Sequence, residues 1–219
     1  QVGLAGSSAI VTATMKALMQ FYEVIIPPNL LPSIILKAEA EELGITAGLQ
    51  DRVIQVFEGC VFMDFDKEHL TANGYGKYEQ LDTSLLPRLY IAYKTDLGKV
   101  SGLVHNNLKE KFEKGDPLVI DTLSELSEVA KEGKNAILKK DYSSLNKLID
   151  RNFDLRRKIM NISESNLELV LKARSCGASA KFSGSGGSIV GMYEDDEILQ
   201  RLIINLQKIK ARVIKPIIS

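Results

Sequence analysis

The 219-residue chain contains only two cysteines, Cys60 and Cys176, far apart and without metal-ligand spacing. A disulfide framework or a cysteine zinc site is excluded, and a reducing, cytoplasmic setting is the expectation. Excess charge is absent too. Lys and Arg together number 28, as do Asp and Glu, so the formal net charge is zero. That removes the electrostatic case for a nucleic-acid or membrane-surface partner. No apolar run is long enough to span a bilayer, since Pro27, Pro28, Pro32 or charges interrupt the candidates. There is no signal-peptide pattern, and residue 1 is Gln, so a chain that starts partway into a longer protein is expected.

What remains is a chain that is 45% hydrophobic, enough for a substantial core. Apolar steps of three and four residues predict a helix over 7–22, a second from Pro32 to just before Gly44, and a third through 51–57. Residues 60–65 and 88–94 read as strands. The stretches 98–112, 117–139, 142–160 and 163–175 read as helices. The end reads as a strand over 179–182, a loop, a strand over 188–193, a helix over 195–210 and a strand over 211–218. From residue 88 onward this order is a split β-α-β arrangement with extra helices inserted.

Three features carry the chemistry. The chain opens on a loop, Gly3-Leu4-Ala5-Gly6-Ser7-Ser8, that runs straight into a helix. Glycines admit a close ligand, the free amides of a first helical turn point at an anion, and serine hydroxyls can bond phosphate or a metal. The plain alternative is a serine-capped helix after a flexible turn. The second feature is a pair of acids, Glu39 and Asp51. Glu39 sits with Glu41 and Glu42 in what reads as a solvated helix face, and Asp51 reads as a helix-start residue. The third is the loop Gly184-Ser185-Gly186-Gly187, richer in glycine than an ordinary hairpin needs. Neither loop fits the Walker or the dinucleotide pattern. His69 and His105 lack a metal or nucleophile pattern, and His69 reads as a surface loop residue. Asp64 and Asp66 could bind a cation, but read rather as the end of a strand.

Together these stretches resemble the GHMP small-molecule kinases. The stretches QVGLAGSSAIV (1–11), GLQDRV (48–53), FMDFDKEHL (62–70), NFDLRR (152–157) and AKFSGSGGSIV (180–190) are similar to the glucuronokinase branch. The resemblance implies an α+β fold. Residues 1–84 would be the C-terminal part of a ribosomal-protein-S5-like, ATP-binding N-terminal domain. Residues 85–219 would be a ferredoxin-like split β-α-β C-terminal domain with inserted helices. It further implies ATP and Mg²⁺, with Gly3, Leu4, Ala5, Gly6, Ser7 and Ser8 as the phosphate-binding motif. Ser8 (or Ser7) and Glu39 would be magnesium ligands and Asp51 the catalytic carboxylate. Gly184, Ser185, Gly186 and Gly187 would form the late glycine motif, with Arg156 facing a sugar acid. The implied reaction is phosphorylation of the anomeric hydroxyl of D-glucuronate. The alternatives are another sugar or heptose kinase of the family, or a non-catalytic ligand-sensing relative. The resemblance also implies an upstream segment, expected to lie before Gln1.

Overall fold

Alternation along one strand shows how the second half of the chain is built. In β3 (Leu89–Lys94), Tyr90, Ala92 and Lys94 are buried and the residues between them are not. An inward-facing lysine needs a partner, and Lys94 Nζ donates to Ser165 Oγ at 2.7 Å and Glu168 Oε2 at 2.8 Å. The computed structural model describes residues 4–44, 47–95 and 105–218. The chain divides into two units, Ala5–Ser84 and Leu85–Ile217.

In the second unit β3 is followed by α5 (His105–Glu113), α6 (Pro117–Leu138), α7 (Tyr142–Ile159) and α8 (Glu164–Arg174). Then come β4 (Lys181–Phe182), β5 (Ser188–Met192), α9 (Asp196–Gln207) and β6 (Ala211–Ile214). Asp116, Asp141, Ser163 and Asp195 cap α6, α7, α8 and α9 through their side chains. The sheet order is β4-β5-β3-β6, every neighbouring pair antiparallel. That is the order of a split β-α-β sheet, so the ferredoxin-like reading holds, with α5, α6 and α7 as the inserted helices. The core packs Tyr90 and Ala92 of β3, Phe182 and Ile189 against Phe153 of α7, Leu169 and Val170 of α8, and Leu202 and Leu206 of α9.

Two strands are shorter than the sequence predicts. Ser179 stands outside β4 because its hydroxyl accepts the Met192 N–H at 3.1 Å, and its carbonyl accepts the buried Tyr90 hydroxyl at 2.8 Å. β6 stops at Ile214, just before Pro216, which cannot donate to a ladder. The predicted helix over 98–112 is seen from His105; residues 98–104 lie outside the described ones.

The first unit comprises α1 (Gly6–Phe21), α2 (Leu31–Lys37), α3 (Leu49–Phe57), β1 (Cys60–Asp64), α4 (Lys67–Asn73) and β2 (Lys77–Leu81). Helix α2 runs on into a π-helical turn, Ala38–Glu42. β1 and β2 pair antiparallel, Cys60 opposite Leu81 and Asp64 opposite Lys77. α1 packs on α2 and α3. Its buried residues are Ser8 and Thr12, while Ile10, Leu18 and Phe21 face outward. The apolar steps read from the sequence therefore do not mark the inward face of this helix. Segment 67–73 is helical where a loop was expected. Asp66 caps it, accepting the His69 N–H at 2.9 Å, and Gly74 ends it in a left-handed conformation, φ 77°. His69 is correspondingly half-buried, not a surface loop residue, with its Nε2 enclosed and unpartnered. Asp64 does end β1 and accepts the Asp66 N–H at 3.0 Å.

Candidate active site

The start of α1 is open. Its cap position is held by Ala5, in a left-handed conformation (φ 52°) that a non-glycine residue rarely adopts, and no side chain caps the helix. The serine-cap reading therefore does not apply. Ser8 is fully buried and its Oγ donates back to the Ala5 carbonyl at 2.9 Å, which leaves the oxygen's lone pairs available. Leu4, Gly6 and Ser7 are exposed. Gly3 lies outside the described residues.

Glu39 is fully buried, which overturns the solvated-face reading of the run it sits in. Leu31, Ile35 and Glu39 form one buried stripe at four-residue steps, so the carboxylate occupies the end of an apolar row. It is held by Arg52, itself 2% exposed, whose Nε and Nη2 both reach Oε2, at 2.6 and 2.5 Å. Oε1 has no partner. Arg52 Nη1 also donates to the Gly48 carbonyl at 3.1 Å and lies 3.7 Å from Asp51 Oδ2. Asp51 occupies the first turn of α3 with its side chain half exposed. One guanidinium thus joins an enclosed carboxylate to an accessible one, within a helix trio that also buries Ser8. Arg52 is the residue that the motif reading passed over; its neighbourhood in Gly48-Leu49-Gln50-Asp51-Arg52 was the available signal.

In the second unit, the 184–187 loop joins β4 to β5 and is fixed from two helices. Arg156 of α7 donates from Nη2 to the Gly184 carbonyl at 2.9 Å. Asn166 of α8 accepts the Gly187 N–H on Oδ1 at 3.1 Å. Gly186 (φ 134°) and Gly187 (φ 81°) have backbones that disfavour side chains. Ser183 Oγ meets Ser188 Oγ across the base of the loop. Arg156 is half-buried, not an exposed helix arginine, and burial works against its charge. Lys181 in β4 donates to the Phe182 carbonyl at 3.1 Å, and burial, then the Arg156 charge, pull its ammonium down to about 8.

Among the described residues no group of three or more His, Cys, Asp or Glu could hold a metal, and no helix is long and apolar enough to cross a membrane. The Ser8 hydroxyl and the unpartnered Glu39 Oε1 are donor types that Mg²⁺ takes when phosphate and water supply its other ligands.

In the first unit, an uncapped helix start with a buried serine, an arginine-held carboxylate and an accessible aspartate are the kinds of group that phosphoryl transfer uses. Comparison with known proteins agrees. Residues 1–59 match the GHMP kinases N terminal domain and residues 134–208 the GHMP kinases C terminal domain. The chain belongs to the GHMP kinases. It is 47% identical over 196 residues to Probable glucuronokinase 2 of Arabidopsis thaliana and 45% identical over 195 residues to Glucuronokinase 1 of the same plant. Each alignment covers 87% of this chain and 53% of the relative, so the chain spans about half the length of the curated relatives it matches. Its fold is that of L. major mevalonate kinase, solved with R-mevalonate: TM-score 0.73, 19% identity, 98% of this chain and 67% of that one.

Proposed function

We propose that the protein is an ATP-dependent sugar kinase. It transfers the γ-phosphoryl group of ATP to the anomeric hydroxyl of D-glucuronate, giving glucuronate 1-phosphate and ADP. The observation that carries this reading is the 47% identity to a plant glucuronokinase over 196 residues. Asp51 takes the proton of the attacking hydroxyl as the new O–P bond forms and the bond to the β-phosphate oxygen breaks. Its half-exposed carboxylate is accessible to a sugar, and the nearby Arg52 keeps it oriented. The open amides at the start of α1 receive phosphate oxygens. Ser8 Oγ and the unpartnered Oε1 of Glu39 fit a magnesium ion, which when bound neutralises charge on the phosphates. By family resemblance, Gly184, Ser185, Gly186 and Gly187 are assigned as the late glycine motif, and Arg156 is assigned to the sugar acid.

The test is ADP release by the protein with Mg-ATP and a panel of D-glucuronate, galacturonate, glucose, galactose and a heptose. Phosphorus NMR would identify the sugar 1-phosphate. Turnover on glucuronate at least about tenfold above the other sugars is expected. Preference for another sugar moves the protein elsewhere within the family. Binding of ATP without turnover on any sugar would make it a ligand sensor, and the reading would fall.

A further inference from the structure

Most partly buried cations of the second unit have acids. Lys94 meets Glu168 at 2.8 Å, and Arg174 meets Asp150 and Asp154, each at 2.8 Å. Lys181 and Arg156 break that rule. They are half-buried on adjacent elements, and among the described residues no carboxylate pairs with either. The charge acting on Lys181 is Arg156's, of the same sign. Two like charges without an acid oppose folding unless something else compensates them. Backbone carbonyls compensate only in part, because each takes one of several N–H donors: Phe182 for Lys181 and Gly184 for Arg156. Both carbonyls belong to the strand and loop that carry the glycine motif, so the spare donors gather at that loop's edge.

We propose that Lys181 and Arg156 act as a pair that binds an oxyanion of a kinase substrate, either the carboxylate of the sugar acid or a phosphate of the nucleotide. This rests on the kinase reading for the identity of the anion, but not for the existence of the site. Lys181 is the specificity-bearing partner: its ammonium sits on a flexible stem, whereas the guanidinium of Arg156 is a rigid planar fork bonded to the loop.

The pair can be tested without turnover. Lys181 is titrated with acetic anhydride at pH 8, and its acetylation is read by peptide mass spectrometry with no addition, with sodium D-glucuronate, with ATP, and with glucose. Suppression of Lys181 labelling by about fivefold or more with glucuronate or with ATP, and not with glucose, is expected for a charge-assisted contact. The effective compound identifies the source of the anion. Equal labelling in all four conditions, or equal suppression by glucose, overturns the proposal. In parallel, Lys181→Met should raise KM for that same compound by about 10- to 100-fold with a smaller effect on kcat. An unchanged KM in a variant that folds also overturns it. Suppression in a protein that releases no ADP with glucuronate keeps the anion pair and removes the kinase reading. ADP release without suppression does the reverse.

Discussion

Arg52 aims two nitrogens at a single oxygen of Glu39 and leaves the other oxygen of that buried carboxylate bare. A purely structural ion pair would use both oxygens side by side, since the fork of a guanidinium matches a carboxylate. The offset arrangement pairs Glu39 with a cation and leaves Oε1 without a hydrogen-bond partner. It also makes Arg52 the counter-charge of a fully buried acid.

Replacing Arg52 with Met should therefore be costly. It would leave an uncompensated charge in a fully buried position, for which about 3–5 kcal/mol is expected. Urea unfolding monitored by circular dichroism measures this. A loss below about 1 kcal/mol would mean that water or another cation reaches Glu39.

Asp51→Asn separates binding from chemistry. The half-exposed side chain contributes little to packing, so stability and ATP affinity should hold while kcat falls about 100- to 10,000-fold. Isothermal titration with ATP and an ADP-coupled assay give the two halves. Normal turnover would remove Asp51 from its assigned role.

Two glycine substitutions should act in opposite directions. At Gly186 a Cβ would sit 2.9 Å from Asn166 Nδ2 on a backbone with φ +134°, so Gly186→Ala should cost about 1–3 kcal/mol and disturb the loop. Gly133 lies within α6 and a Cβ there meets only Leu145 Cδ1, at 3.9 Å. Gly133→Ala should stabilise by about 0.5–1 kcal/mol. Thermal unfolding of both variants checks the pair of signs.

Lys181 also predicts a pH dependence. Its folded-state value of about 8 lies below the ordinary 10.5, so above pH 8 the folded protein releases this proton while the unfolded chain still holds it. Its contribution to stability therefore rises from about pH 8 to about 10.5 and is flat below pH 8. Tyr78 and Tyr90, raised by burial, act in the opposite sense at higher pH, so the comparison is with Lys181→Met. The difference between the two stability curves should change across that window. Parallel curves would show that Lys181 is not perturbed.

The sequence disclosed those parts of the molecule in which local pattern and burial agree. Helices α6, α7 and α9 have capping aspartates and regular apolar steps, and all three appear within a few residues of expectation. β2 was not legible, because Lys-Tyr-Glu-Gln-Leu carries no apolar alternation and becomes a strand only by pairing with β1. Glu39 misled for a related reason. Its neighbours Glu41 and Glu42 are indeed exposed, and what turns Glu39 inward is its register with Leu31 and Ile35, together with an arginine 13 residues away. The face of α1 misled because its buried positions are the polar Ser8 and Thr12, while Ile10, Leu18 and Phe21 are exposed. Site residues that act through resemblance, such as Asp51, could be named but not placed, since a helix-start aspartate looks the same whether or not it meets a substrate.

The tethering of the 184–187 loop to α7 and α8 has one more consequence. A stretch so rich in glycine would ordinarily be slack, and a ligand would have to freeze it at an entropic penalty. Here the freezing is done during folding, by Arg156 and Asn166. An anion bound there as proposed would meet a preorganised surface and keep more of its intrinsic affinity.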